Sequence, residues 1–129
     1  MNQPKTFEEL RLIIDQVKNT PLRLRLTNDE KNYQAIAKTS KVQNYINRIR
    51  ETVSKEKFIM IESSFPYTWL LEFLPNVMHK IFWFNGDIDE LKKYLNKLNN
   101  NKIEYCFFQN NPNRRSVSDI PHYHFFILG

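Results

Sequence analysis

The chain has 129 residues, 41% of them hydrophobic and 14% aromatic, which suits one core and leaves too little length for a second. Its formal charge is +5, with Asp and Glu interleaved among the Lys and Arg, so no dense basic arm forms; the excess is either a solvated surface or an attraction for anionic partners such as nucleotides, phosphorylated metabolites or RNA. Two glycines exclude the Gly-rich phosphate loops of P-loop and dinucleotide folds, one cysteine excludes an internal disulfide, and no stretch reaches the roughly 18 apolar residues of a membrane span.

The opening MNQPKTFEEL has neither the apolar run of a signal peptide nor the Arg-rich, acid-poor character of a transit peptide. With a lone cysteine, this leads us to expect a cytoplasmic location or another reducing interior such as the nucleus. Thr6-x-x-Glu9 is a capping box that opens a helix from Thr6 to Lys18, with Phe7, Leu10, Ile14 and Val17 on one face and Pro21 as its stop. Thr27-x-x-Glu30 begins a second helix. Ser40-x-x-Gln43 restarts it, and Val42, Ile46, Ile49 and Val53 recur at helical spacing.

At Lys57 the period changes. Phe58 to Ile61 reads as a buried strand, followed by a loop over Ser63 to Tyr67. Asn76 to Phe84 is a second strand with apolar residues on both faces, which predicts a central position. Asn85-Gly86 makes a turn, and Asp87 with Glu90 caps a helix bearing Ile88, Leu91, Leu95 and Leu98. Ile103 to Phe108 is a third strand, Gln109 to Ser118 a polar loop, and Pro121 to Leu128 the last strand. The expected fold is α+β in a single domain, 1–129. A helical part (1–55) packs on a mostly antiparallel sheet of about four to five strands (56–129), whose order is β-β-α-β-β with one helix.

All three histidines, His79, His122 and His124, fall on predicted strands. Residues two apart on a strand share a face at about 7 Å, so His122 and His124 project side by side, while Tyr123, Phe125 and Ile127 form the opposite, core-facing row. Two imidazoles on one face serve either as nucleophile and acid or base, or, with His79 as a third ligand, as a metal site. They serve neither if they are polar residues at a sheet rim. The loop before them carries Arg114, Arg115, Ser116 and Ser118, whose forks and hydroxyls suit a phosphate or carboxylate. Tyr67 and Trp83 are candidates for stacking on a flat ligand, Tyr67 as an exposed loop residue and Trp83 more as core. Cys106, between Tyr105 and Phe107, reads as a small buried hydrophobe.

The segments Phe65-Pro66-Tyr67, His79-Lys80-Ile81-Phe82-Trp83, Phe108-x-Asn110-x-Pro112 and Ser116-Val117-x-x-Ile120-x-His122-x-His124 come in a characteristic order and spacing. In these the chain resembles the domain-of-unknown-function family typified by fungal N-acetylglucosamine-induced proteins, over about Leu22 to Phe126. That resemblance implies no particular reaction. The run from Asn110 through Ser116-Val117 into His122-Tyr123-His124-Phe125-Phe126 also resembles, more weakly, the histidine-triad superfamily of nucleotide hydrolases and transferases. This second resemblance implies His124 as nucleophile, His122 as its neighbour and Asn110 within the ligand site. Phe126 stands where that pattern has its third histidine, and related transferases retain only two.

The sequence thus leads us to expect a domain that binds a phosphorylated small molecule, a nucleotide or nucleotide-sugar, with or without transfer chemistry, through the His-x-His strand and the Arg/Ser loop. The alternatives are a non-enzymatic RNA- or protein-binding module using the basic helical face, and a three-histidine metal site. No membrane partner is expected, and no cofactor is specified.

Overall fold

The computed structural model describes residues 3–19, 31, 35–36, 39–63, 67–109 and 120–129. Helix α1 spans Phe7–Asn19. The expected Thr6 cap forms, its hydroxyl accepting from the Glu9 N–H at 3.2 Å, while the Glu9 carboxylate reaches one residue beyond the usual box partner and accepts from the Lys5 N–H at 3.0 Å. Helix α2 spans Ser40–Glu56, but its cap is Thr39 rather than Ser40, with the Thr39 hydroxyl turned to the Val42 N–H at 3.5 Å. The Thr27 box and Pro21 lie outside the described residues.

Strand β1 is Phe58–Glu62. A short helix, α3, covers Thr68–Phe73, where the sequence was read as joining one strand to the next without a helix. Strand β2 (Val77–Phe84) runs into the Asn85-Gly86 turn, where the Asn85 side chain accepts from the Asp87 N–H at 2.9 Å and Gly86 takes φ +93°. Helix α4 (Ile88–Asn100) starts at Asp87, whose carboxylate accepts from the Asp89 N–H at 3.0 Å. Strands β3 (Tyr105–Phe108) and β4 (His122–Leu128) complete the described elements. Among the described residues the sheet part therefore contains two helices where one was expected, in the order β-α-β-α-β-β. Among the described residues no helix is long and apolar enough to cross a membrane.

The four strands form one antiparallel sheet in the order β1-β2-β4-β3. β2 is central, as its two apolar faces predict, and β4 lies beside it. The expected contrast between a histidine face and a core face does not hold, because both faces of β4 are covered. Phe125 and Phe126, adjacent in sequence and on opposite faces, are each 0% exposed. Full burial of such a ring stabilises by about 1.5–3 kcal/mol, so each face holds a substantial core.

On one face, Phe82, Phe84, Phe125 and Ile127 pack against Leu91 and Leu98 of α4. On the other, Phe7, Leu10 and Ile14 of α1 join Trp69 and Leu70 of α3 over Val77, Phe108 and Phe126. On that same side, Ile49 and Val53 of α2 cover Trp83 and Ile120. The period-2 alternation of β2 and β4 thus feeds two cores, and the histidines belong to the three-helix side.

Candidate functional site: a buried row of imidazoles

His79 on β2 and His122 and His124 on β4 are 6%, 5% and 5% exposed. They are interior groups and do not sit at a rim. The antiparallel register sets their arrangement: Trp83 faces His122, Ile81 faces His124, and His79 faces Phe126. His79 is therefore diagonal to His124. The three rings follow in succession, with centroids 5.7 Å apart from His122 to His124 and 5.2 Å from His124 to His79.

Aromatic neighbours hold each ring plane. His79 stacks on Tyr67 at 4.9 Å and on Phe126 at 4.7 Å. Phe108, from β3, stacks on His124 at 5.0 Å with planes 14° apart, and Trp83 lies against His122 at 4.3 Å. Tyr67, expected to be exposed, is buried, since it precedes α3 and stacks on Trp69 as well as His79. A residue in a loop can still point into the core, as Tyr67 does. Trp83 is buried, as its placement in the core requires.

Hydrogen bonds orient the rings further. His122 Nδ1 lies 3.0 Å from the Ile120 carbonyl, which can only accept, so Nδ1 carries the hydrogen and the neutral ring has its lone pair on Nε2. His79 Nε2 and His124 Nδ1 are 2.9 Å apart and bond to each other. Trp83 Nε1 is buried with no hydrogen-bond partner among the described residues. A donor left in that state costs about 1–3 kcal/mol.

The three histidines do come together, as a metal site would need, but their nitrogens are committed differently. Two face each other as a hydrogen-bonded pair, and one nitrogen of the third is held by a carbonyl. Among the described residues no group of three His, Cys, Asp or Glu is arranged to hold a metal ion. Asn110, Arg114, Arg115, Ser116 and Ser118 lie outside the described residues. Their tether is defined nonetheless. The chain leaves the sheet at Phe108, which faces His124, and returns at His122. The return point is anchored by the Phe84 N–H donating to the Pro121 carbonyl at 3.1 Å and by Ile120 packing with Trp83.

Phe108 and the Ile120 carbonyl are site components that sequence reading missed. Phe108 was within a predicted strand, but its contact with His124 depends on strand order, which period-2 alternation does not encode. A cleft of about 330 Å³, lined by Tyr45, Arg48, Ile49, Thr52, Ile59 and Ile61, opens between α2 and β1 on the same side of the sheet. Trp83 separates it from His122, since Ile59, Trp83 and His122 follow one another across the register. The exposed face of α2 carries Lys41, Arg48, Arg50 and Lys55, with Glu51 and Glu56 among them.

No family model matches the chain, and no curated protein matches it. Among solved structures, the crystal structure of HTC1 is similar, with a TM-score of 0.60 at 16% identity over 95% of this chain and 84% of that one. At that identity the likeness concerns the fold alone.

Proposed function

We propose that the protein binds a phosphorylated small molecule, a nucleotide or nucleotide-sugar, between the His122/His124 face and the Arg114 to Ser118 loop. The observation that carries this reading is the oriented imidazole row. Three polar rings occupy core positions that an apolar side chain would fill at lower cost, and stacking and hydrogen bonds fix their planes and, at His122, the tautomer. Such fixed geometry suits ligand chemistry more than packing. Two further features agree with it. The Arg/Ser loop is tethered at the strand ends beside His124 and His122, and Trp83 offers an indole N–H beside His122.

In the transfer form of this reading His124 is the nucleophile. Its Nε2 forms a bond to phosphorus as the P–O bond to the leaving group breaks and the electron pair departs on that oxygen. His122 enters protonated, gives its Nε2 proton to the leaving oxygen, and regains one from the water or alcohol that resolves the phosphoimidazole.

A thermal-shift panel of nucleoside phosphates and sugar phosphates tests the reading. An Asn amide takes roughly the place of Nδ1, so His122→Asn and His124→Asn retain the inward hydrogen bonds and delete Nε2. At least one phosphorylated ligand is expected to raise the melting temperature of the wild type and not of these variants. A panel without any shift would overturn the proposal. So would RNA binding that weakens steeply with salt and ignores both substitutions, which would favour the basic face of α2.

A further inference from the structure

We infer that His79 is the proton partner of His124, so that β2 supplies the third imidazole of the row and the two rings act as one relay. The position comes from the register. His79 faces Phe126, the residue two beyond His124 on the same face of β4, and its ring stacks on Phe126 at 4.7 Å with planes 16° apart. An imidazole from the neighbouring strand is therefore set beside the next position after His122 and His124, which Phe126 occupies.

The chemistry comes from the 2.9 Å contact between His79 Nε2 and His124 Nδ1. Two N–H groups cannot point at each other at that distance, and two bare lone pairs repel, so one hydrogen lies between the rings. The tautomers are then coupled. When His124 holds that hydrogen on Nδ1, its lone pair is on Nε2, and His79 carries its own hydrogen on Nδ1. A new bond at His124 Nε2, to phosphorus in the transfer step or to a proton on acidification, makes that ring cationic; the Nδ1–H bond of His124 then breaks and a new N–H bond forms at His79 Nε2. His124 ends neutral, and the positive charge resides on His79.

The surroundings suit that transfer. The His79 ring lies against the faces of Tyr67 and Phe126, and aromatic faces attract a cation within about 6 Å. Among the described residues, His122, the Tyr67 and Phe108 rings, Trp69, Cys106 and apolar residues of α1 also pack around the pair. Among the described residues the one buried carboxylate, Glu90, lies on α4 across the sheet.

This inference rests on the reading of His124 as the reactive imidazole, but its test needs no ligand. In the ¹⁵N-labelled full chain, a scalar coupling across the hydrogen bond should join His79 Nε2 to His124 Nδ1, and acid titration should move the nitrogens of both rings at one shared midpoint. His79→Gln, which keeps a hydrogen-bonding group near Nε2 but cannot carry a proton onward, should displace the His124 midpoint by about one pH unit or more. Absence of the coupling, separate midpoints for the two rings, or an unmoved midpoint in His79→Gln would each overturn the relay. If His79→Gln does not fold, the wild-type coupling and titration decide. A failed ligand panel with the coupling present would overturn the ligand reading alone, and bound ligand without the coupling would overturn the relay alone.

Discussion

Trp83 and His122 occupy directly opposed positions on β2 and β4, with ring centroids 4.3 Å apart and planes tilted by 30°. The indole fills the space between the imidazole row and the α2 cleft, and its N–H has no acceptor among the described residues. Packing and polarity therefore act in opposite directions at this residue. Trp83→Phe keeps an aromatic face on His122 while removing the donor. Loss of an unsatisfied N–H recovers about 1–3 kcal/mol, which offsets the smaller buried ring and leaves stability within about 1 kcal/mol of wild type. Trp83→Ala has no such compensation and should cost about 3–5 kcal/mol. Urea unfolding measures both. A Phe variant as unstable as the Ala variant would mean that the N–H is bonded in the native protein.

Asp87 caps α4 through its bond to the Asp89 N–H, and α4 is the helix that closes the second core over Phe82 and Phe125. Asp87→Ala should cost about 1 kcal/mol, and Asp87→Asn, which keeps a capping oxygen, should cost a few tenths. The ordering of these two variants in chemical denaturation is the check. Equal losses would assign the effect to charge near the helix N-terminus and not to the cap.

Tyr94, also on α4, stacks on Phe82 and meets the edge of Phe125, and burial raises its phenol above the ordinary value of 10.0. The sign follows from linkage: the unfolded chain releases this proton first. The stability that Tyr94 contributes is complete below about pH 10 and is lost as pH rises from there towards the raised folded value. Tyr94→Phe should therefore be less sensitive to alkali than wild type above pH 10, and parallel below it. Unfolding free energies measured across that range would show parallel curves throughout if the phenol were not desolvated.

The sequence made some of these features legible and hid others for physical reasons. Capping boxes and the Asn85-Gly86 turn are local chemistry, so Thr6, Glu9 and Asp87 could be read directly. The faces of β2 could be read as well, because alternation is also local. Helix α3 was hidden, since six residues bounded by Tyr67 and Pro75 are too few for periodicity to emerge. The burial of the histidine face was hidden for a different reason. His122 and His124 look like a polar row in a sequence, and only the arrival of α1, α2 and α3 on that side makes it a core. Strand order, which brings Phe108 onto His124 and His79 beside it, is a long-range property with no local signature.

Phe126 offers the sharpest test of how the row is built. In the histidine-triad pattern a histidine at this position would complete the site, which suggests that Phe126→His should gain function. The structure argues the reverse. Phe126 is 0% exposed, stacks on His79 and Phe108, and sits where His79 has already placed an imidazole beside the line. A fourth buried imidazole in this position would have to find hydrogen-bond partners among aromatic faces, at a cost of about 1–3 kcal/mol. Phe126→His should therefore destabilise the fold and yield no new turnover. The exchange His79→Phe with Phe126→His keeps composition and approximate volume while moving the imidazole from β2 to β4. It should be more stable than Phe126→His alone, because the exchange avoids crowding two imidazoles and returns an aromatic face to the site. Urea denaturation of the two singles and the double gives the coupling energy between these positions. Additive losses would show that His79 and Phe126 do not act as alternatives for one place in the row.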